Sequence, residues 1–258
     1  MPFTPCSLDE LTIIDERSFR HVALYDELKQ ALRRDNYTFL VPTERDAEAS
    51  WSRVLFLNLT YWNPETQGDV LASRRIDADV VAHVAWHHLA RKAFAPESPC
   101  AGALLFGEAI ASAFDLYLVG RLMGHAPQST FLETQVPEID DAAACAGLDE
   151  DAVEALFLSV VSDPERAFEE LRELLFDTSM ALLHAGNAIE ADAILEAASG
   201  HRFGPLLHHY ELSTWVLFAR AYAPRPLACG DAVRAADAAM RRAPDAVAWL
   251  EAQWLDVV

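Results

Sequence analysis

Two long apolar helices joined by a short loop constrain the fold of this chain more than any other feature. Apolar residues at helical spacing predict one helix over Asp77–Phe94 and a second over Leu104–Met123, closed by Gly124. The connecting segment Ala95–Cys100 holds two prolines and is only a few residues long. A loop of this length joins helices that are neighbours in space, so we expect the two helices to pack antiparallel.

Most of the remaining chain carries the same helical periodicity. Ser18–Arg34 is predicted to form an N-terminal helix. Further helices are predicted over Ala152–Val161, Pro164–His184, Glu190–Ala198, Pro205–Tyr222, Asp231–Arg242 and Ala246–Leu255. The expected fold class is therefore mainly α, with a multi-helical core followed by C-terminal helical hairpins. It leaves room for one small β element in the first 62 residues.

Other segments do not have a clear helical pattern. Tyr37–Val41 is short and β-prone, and Gln128–Gly147 is predicted to be an irregular, acidic surface excursion. The N-terminal half adds a helix start at Thr43 with Asp46, a helix end or strand over Val54–Trp62, and a loop over Asn63–Gly68.

Two C-terminal stretches, residues 181–187 and 229–246, resemble pieces of tetratricopeptide hairpins. They lie about 45 residues apart, whereas that repeat has a period of about 34 residues and signature aromatic residues that are missing here. Plain helical hairpins are the preferred interpretation. We divide the chain into residues 1–127, which hold the candidate metal-site helices, and an acidic helical region over residues 128–258, and we expect the two to pack as one unit.

The formal net charge of −20 over 258 residues excludes several classes of partner. Nucleic-acid binding relies on Lys and Arg that neutralise phosphates, and an anionic membrane surface is disfavoured for the same reason. Acidity is concentrated between Phe131 and Glu196, where Arg166 and Arg172 are the only Lys or Arg residues. A solvated acidic surface is the preferred interpretation, and a docking face for a basic protein partner is the alternative.

Cysteine usage and the N-terminus predict a cytoplasmic protein. The four cysteines are far apart and form no CxxC pair, which argues against a structural zinc knuckle and a disulfide scaffold. They are Cys6, Cys100, Cys145 and Cys229. No basic region precedes an apolar stretch at the N-terminus, and no apolar run is expected to span a bilayer. The scarcity of lysine beside arginine and alanine is typical of GC-rich bacterial genomes.

A candidate metal site lies on the two long helices. Positions four apart share one face of a helix, so His83 and His87 can point at one ion. If the chain turns near residues 97 to 98, His87 lies level with Glu108, which would bring a carboxylate to the imidazole pair. Asp115, two turns beyond Glu108, is suited to accept a ring N–H from His83. His88 points about 100° away from this face and is left out.

The residues around these positions resemble a known family. Val80–His87 is similar to the metal-binding helix of the zincin metallopeptidases, and Glu108–Asp115 is similar to the glutamate helix of their gluzincin branch. The resemblance covers Val80–Asp115. It implies a zincin-like core in which His83, His87 and Glu108 bind zinc.

Val84 departs from that family at the position of the general base. The family carries a glutamate directly after the first histidine, and a valine cannot accept a proton. Ordinary peptide hydrolysis is therefore not expected. Tyr210 and His208 are candidates for the family's donor to the transition state, and no other catalytic residue is assigned.

The segment His208–Glu211 offers a second cluster of ligand-type side chains. His208 and Glu211 are three apart and would share a face of the predicted helix from Pro205. A dinuclear centre is then conceivable, as in ferritin-like bundles, although those carry Glu-x-x-His and the order here is reversed. Histidines that are satisfied in the core or exposed to solvent are the preferred interpretation.

Three functions follow from these residues. The first is a metal-dependent enzyme other than a standard peptidase, with Zn²⁺ preferred and Fe(II) as the alternative because two histidines and one carboxylate also form the facial triad of non-haem oxygenases. Such an enzyme would act on a small-molecule or peptide substrate. The second is an inactive pseudo-peptidase that binds a protein partner. The third is a helical interaction protein whose histidines are incidental.

Overall fold

The computed structural model describes residues 3–42, 68–94, 100–223 and 229–255. The protein is mainly α-helical, as predicted. The chain divides into two compact units, Met1–Ala85 and Trp86–Val258. The division at residue 127 stays a prediction, and the predictions for Thr43 with Asp46, Val54–Trp62 and most of Asn63–Gly68 fall outside the described residues.

Within the described residues, the first unit holds four short strands in two small sheets. The strands are β1 (Phe3–Ser7), β2 (Thr12–Ile14), β3 (Thr38–Pro42) and β4 (Arg75–Asp77). β1 pairs antiparallel with β3, so that Ser7 lies opposite Thr38, and β2 pairs parallel with β4. β3 confirms the β-prone segment predicted at Tyr37–Val41. The second small sheet was not predicted, because its two strands have only three residues each.

The predicted helix over Ser18–Arg34 is divided in two. α1 covers Glu16–Phe19 and α2 covers Ala23–Arg34. Val22 lies between them in an extended conformation, and its N–H donates to the carbonyl of Phe19 at 2.9 Å. The turn brings the rings of Phe19 and Tyr25 to 5.3 Å of each other. The interruption of the helix thus lets both rings be buried, and this burial stabilises the turn.

The two long helices form as predicted. α3 covers Ala78–Phe94 and α4 covers Ala101–His125. The ring of Phe94 lies 5.6 Å from that of Phe106, and the ring of Trp86 lies 5.3 Å from that of Phe114. Phe94, at the end of α3, thus contacts the first part of α4, and the earlier Trp86 contacts a later part. The two helices therefore run antiparallel, as predicted.

α4 is the central helix of the second unit. Nineteen of its 25 residues are buried. Helices that are apolar on all sides occupy the interior of a protein or of a membrane. Among the residues that the structure describes, α4 alone is long and apolar enough to cross a membrane, but 89% of its apolar window is buried inside the protein. Our expectation that no segment has this length and apolarity was wrong for α4, which has the burial of a core helix.

Within the described residues, seven further helices complete the second unit. They are α5 (Thr130–Cys145), α6 (Glu150–Ser162), α7 (Pro164–His184), α8 (Ala188–Ser199), α9 (Leu212–Tyr222), α10 (Asp231–Met240) and α11 (Ala246–Leu250), which continues as a π-helical turn over Glu251–Leu255. Of these, α5, α6, α7, α9 and α10 pack against α4, whereas α8 and α11 pack against α7. α7 packs most extensively against α4 and has the predicted bounds. Asp163 begins it by accepting the N–H of Arg166, directly before Pro164.

Helix α5 lies where the sequence predicted an irregular surface segment, so that prediction was wrong. Its buried residues recur at helical spacing: Phe131, Leu132, Ile139 and Ala143. The other positions are largely acidic or small, which hides this narrow apolar stripe in the sequence. Pro137 lies inside the helix and does not end it.

The predicted helix over Pro205–Tyr222 is also interrupted. A 3-10 turn covers Gly204–Leu206, and α9 begins only at Leu212. Glu211 adopts a left-handed conformation with φ 48°, which an α-helix cannot contain. His208 and Glu211 therefore do not share a helix face, contrary to the prediction.

Arg172 links three helices in the core of the second unit. Its side chain is 0% exposed and donates to Glu169 on α7 and to Asp237 on α10, both at 2.7 Å. Its guanidinium also lies 5.4 Å from the ring of Phe106 on α4. A buried cation is tolerated only when paired in this way, and two carboxylates and an aromatic face meet that need.

The close packing of α4 can be tested at two of its glycines. A Cβ atom on Gly120 would lie 2.8 Å from the Val160 carbonyl oxygen and 3.1 Å from Pro164 Cβ, whereas one on Gly124 would meet nothing within 4 Å. We expect Gly120→Ala to lower the free energy of unfolding by about 1–3 kcal/mol through overpacking. Gly124→Ala should be neutral or stabilise by up to about 1 kcal/mol, because alanine favours helix. Urea unfolding measures both, and equal effects would contradict this packing.

Candidate metal centre

Three ligand-type side chains meet where α3 and α4 face each other. His83 and His87 come from α3 and Glu108 from α4, and one ligand atom of each lies within 4.8 Å of the others. His87 Nε2 is 3.4 Å from Glu108 Oε2. His87 is 5% and Glu108 8% exposed, and His83 is half-buried. The pairing of His87 with Glu108 is the one that the antiparallel alignment predicts.

Aromatic contacts on either side of His87 fix this alignment. Trp86 is fully buried and contacts Phe114 on α4 and Trp254 in the C-terminal turn, with ring centroids 5.3 and 6.3 Å apart. Two turns further on, Phe94 contacts both Phe106 and Trp254. Trp86, Phe106 and Phe114 are large and buried, and Phe94 and Trp254 are half-buried. Sliding α3 along α4 would therefore break these contacts and separate His87 from Glu108.

The donor set fits a transition-metal ion. Tetrahedral zinc has ligand bonds of about 2.0–2.2 Å, which places neighbouring ligand atoms about 3.3 Å apart. The 3.4 Å between His87 Nε2 and Glu108 Oε2 agrees with that separation. Two imidazole nitrogens and one carboxylate oxygen suit Zn²⁺ or Fe(II). A protonated His87 would also pair with Glu108 at this distance, so metal binding requires a direct test.

Burial makes this cluster chemically demanding. A carboxylate removed from water is costly unless a cation or hydrogen-bond donors compensate it. Glu108 lies among buried apolar neighbours on its own helix, including Ala109 and Ile110. The ring of His87, with its Nε2 atom 3.4 Å from Glu108 Oε2, is a polar neighbour of this carboxylate, and a metal ion bound between the two side chains would compensate its charge.

Val84 is buried in the structure, with 6% of its surface exposed. It follows His83 directly on α3, at the position where zincin peptidases carry their general base. A buried alkyl side chain supplies no proton acceptor there. The departure from the family pattern therefore persists in the three-dimensional structure.

Asp115 connects the candidate site to the segment before α9. It is half-buried on α4, and its negative charge acts on both His209 and Tyr210. Burial, with this charge, raises the pKa of the Tyr210 phenol, which therefore stays protonated. The proposed role of Asp115 in orienting His83 remains a prediction.

The two candidate catalytic residues occupy different surroundings. Tyr210 lies near Asp115, whereas the exposed His208 lines a cavity of 690 Å³ together with Asn187, Glu211 and Arg220. His83, His87 and Glu108 do not line this cavity. Tyr210 is therefore the candidate that the structure places near a residue of the metal-site helix.

A second metal in the segment His208–Glu211 lacks support from the described residues. Within them, the group formed by His83, His87 and Glu108 is the single set of three or more such side chains with converging ligand atoms. His208 and Glu211 do not belong to it. The dinuclear alternative therefore has no ligand set in the described part of the chain.

Comparisons with known proteins leave the family open. Neither the protein-family models, nor the curated proteins, nor the solved structures contain a match to this chain. The zincin resemblance thus rests on the residues from Val80 to Asp115 and on the grouping of the three ligand-type side chains. Membership of that family stays a prediction.

Some residues that shape the site have no local sequence signal. Trp254 contacts both Trp86 and Phe94 from the far end of the chain. Glu138 on α5 acts on His209, although the sequence assigned its segment to a surface excursion. Such contacts depend on how distant helices pack, which helical periodicity does not reveal.

The burial of His209 predicts a stability loss in acid. Burial lowers its pKa from the usual 6.5, and the acidic groups Glu138, Asp115 and Glu211 oppose this only in part. Below about pH 6.5 the unfolded chain binds the proton more readily, so this contribution to stability falls as the pH falls. When the pH is lowered from about 7.5 to 5.5, the free energy of unfolding should fall less in His209→Gln than in wild type, as measured by urea unfolding. The exposed His208→Gln is the control and should follow wild type, and an unchanged pH dependence in His209→Gln would contradict the assignment.

Proposed function

We propose that His83, His87 and Glu108 bind one divalent transition metal, and that the protein is a metal-dependent enzyme other than a standard peptidase. The observation that carries this proposal is the convergence of three ligand atoms within 4.8 Å, two of them from nearly buried side chains. Three protein ligands leave a coordination position open, which is typical of catalytic rather than structural zinc.

Zn²⁺ is the preferred metal and Fe(II) is the alternative. The 3.4 Å between the donor atoms of His87 and Glu108 agrees with tetrahedral zinc. The same donor types form the facial triad of Fe(II) oxygenases, whose chemistry needs no protein base beside the first histidine. When bound, either metal would supply Lewis acidity, and zinc would make a bound water more acidic.

The protein's own side chains restrict the chemistry. Val84 provides no base, so a reaction that needs a proton acceptor beside His83 would be slow by about 10²- to 10⁴-fold. Tyr210 keeps its proton and can serve as a hydrogen-bond donor. Asp115 is a carboxylate on the metal-site helix near Tyr210. We infer a site that binds and polarises a small-molecule or peptide substrate, with Tyr210 as the candidate donor.

The alternative is an inactive pseudo-peptidase or helical interaction protein that binds a protein partner. The buried valine at the position of the base favours it. Under either proposal, the net charge of −20 argues against nucleic acid and anionic membranes as partners. We also propose a cytoplasmic location, since all four cysteines are free in the structure.

Metal binding is tested by titration and metal analysis of the purified protein. We expect wild type to hold one equivalent of Zn²⁺ or Fe(II). His87→Ala and Glu108→Ala should each weaken binding by more than the 10- to 100-fold typical of outer-sphere partners, because each removes a direct ligand. The adjacent His88→Ala, outside the ligand group, is the matched control and should bind like wild type.

Two results would overturn the metal site. One is a wild-type protein that takes up neither metal. The other is equal binding by wild type, His87→Ala and Glu108→Ala, which would place any metal elsewhere. Zinc at one equivalent without any turnover would favour the pseudo-peptidase, and iron with oxygen consumption would favour the oxygenase.

Restoring the missing base tests the zincin resemblance directly. Val84→Glu places a carboxylate directly after His83, as in the family pattern. If the remaining site is zincin-like, the zinc-loaded variant should hydrolyse peptides at least about 10²-fold faster than wild type, the usual contribution of a general base. Val84→Gln has the same shape without the proton acceptor and should stay inactive. Equal rates for both variants, with zinc bound, would count against a zincin-like centre.

A further inference from the structure

Two cysteines from distant parts of the sequence lie at adjoining helix starts. Cys100 occupies the position directly before α4, and Cys229 precedes Gly230 at the start of α10. Both side chains are half-buried, and both are free thiols. The sequence showed them only as separate cysteines without a partner.

Two glycines show how closely the two segments approach each other. A Cβ atom on Gly102 would lie 2.6 Å from Cys229 Cα and 3.1 Å from its Sγ. In the reverse direction, a Cβ atom on Gly230 would lie 3.6 Å from Cys100 Sγ. Cys229 therefore packs on Gly102, which is two residues after Cys100. Cys100 lies close to Gly230, which directly follows Cys229.

The electrostatics of Cys229 agree with this proximity. Burial, with the charge of Cys100 as the next cause, raises the pKa of the Cys229 thiol. Arg234 opposes the shift, and the carboxylates of Asp237 and Asp231 add to it. The charge of Cys100 thus acts on the Cys229 thiol. Cys6, which is 2% exposed, and Cys145, which is exposed, differ from this pair in their surroundings.

We propose that Cys100 and Cys229 form a reversible disulfide site that reacts with a small disulfide such as oxidised glutathione. The thiolate of one cysteine attacks a glutathione sulfur, which forms a mixed disulfide and releases one glutathione thiol. The thiolate of the second cysteine then attacks the protein sulfur of that mixed disulfide and releases the second glutathione. Two protein thiols lose two protons and two electrons, and one glutathione disulfide is reduced to two thiols.

The resulting bond would tie the start of α4 to the start of α10. α4 also carries Glu108, so the disulfide would fix the first turns of the helix that supplies the candidate carboxylate ligand. A cross-link between segments far apart in sequence restricts the unfolded chain and should raise the Tm. This inference does not depend on metal binding, since its readout is the state of the thiols.

The test is oxidation of the full-length, folded protein by oxidised glutathione, followed by thiol counting in denaturant and peptide mapping. A Cys145→Ser background removes the exposed cysteine, so that three thiols remain of the original four. We expect these three to fall to one, with a mass loss of about 2 Da. A peptide pair should join Cys100 to Cys229, Cys6 should stay reduced, the Tm should rise, and dithiothreitol should restore all three thiols.

A matched variant tests the pairing itself. Cys229→Ser in the same background leaves Cys100 without its partner, and we expect no intramolecular disulfide and no rise in Tm. Peptide mapping of the Cys145→Ser protein identifies the paired cysteines by itself, so the proposal can be rejected even if the Cys229→Ser variant does not fold. Three unreacted thiols, a bond that joins any other pair, or oxidation of Cys6 together with the pair would overturn it.

Discussion

The burial of α4 is the constraint on which the rest of the second unit depends. A helix with nineteen buried residues out of 25 needs partners on almost every side, and α5, α6, α7, α9 and α10 supply them. Its polar residues must then be satisfied inside the protein. Glu108 lies beside His87. In turn, α4 helps to satisfy a buried charge of α7, because the ring of Phe106 lies 5.4 Å from the guanidinium of Arg172. At the candidate site, the packing of α3 on α4 thus also places a polar partner, His87, beside the buried carboxylate of Glu108.

The two long helices and the level of the ligands could be predicted because both follow from local rules. Apolar spacing gives the helices, and a short loop makes them antiparallel. The constant rise per residue then sets His87 opposite Glu108. These steps use residues close together in sequence, and the 3.4 Å between the two side chains confirms that alignment.

The remaining features depend on contacts that no local pattern contains. α5 buries only a narrow stripe beneath an acidic surface, so its sequence resembles a loop. The helix expected from Pro205 is interrupted at Glu211, a non-glycine residue in a left-handed conformation that periodicity does not foresee. The close approach of the Cys100 and Cys229 segments brings together helices that are far apart in the chain. In each case tertiary packing overrode or extended what the local sequence favours.

Because Val84 is not a metal ligand and cannot act as a base, the protein can bind a metal through His83, His87 and Glu108 without carrying out zincin chemistry. The ligand-type residues converge without a base beside them, and Tyr210 near Asp115 offers a donor rather than an acceptor. The most direct measurement is therefore anomalous diffraction from crystals grown with Zn²⁺, which locates the ion itself. The account predicts a peak bonded to His83, His87 and Glu108 at about 2.0–2.2 Å. A map in which zinc binds only elsewhere, or in which His87 and Glu108 pair with no metal between them, would contradict it.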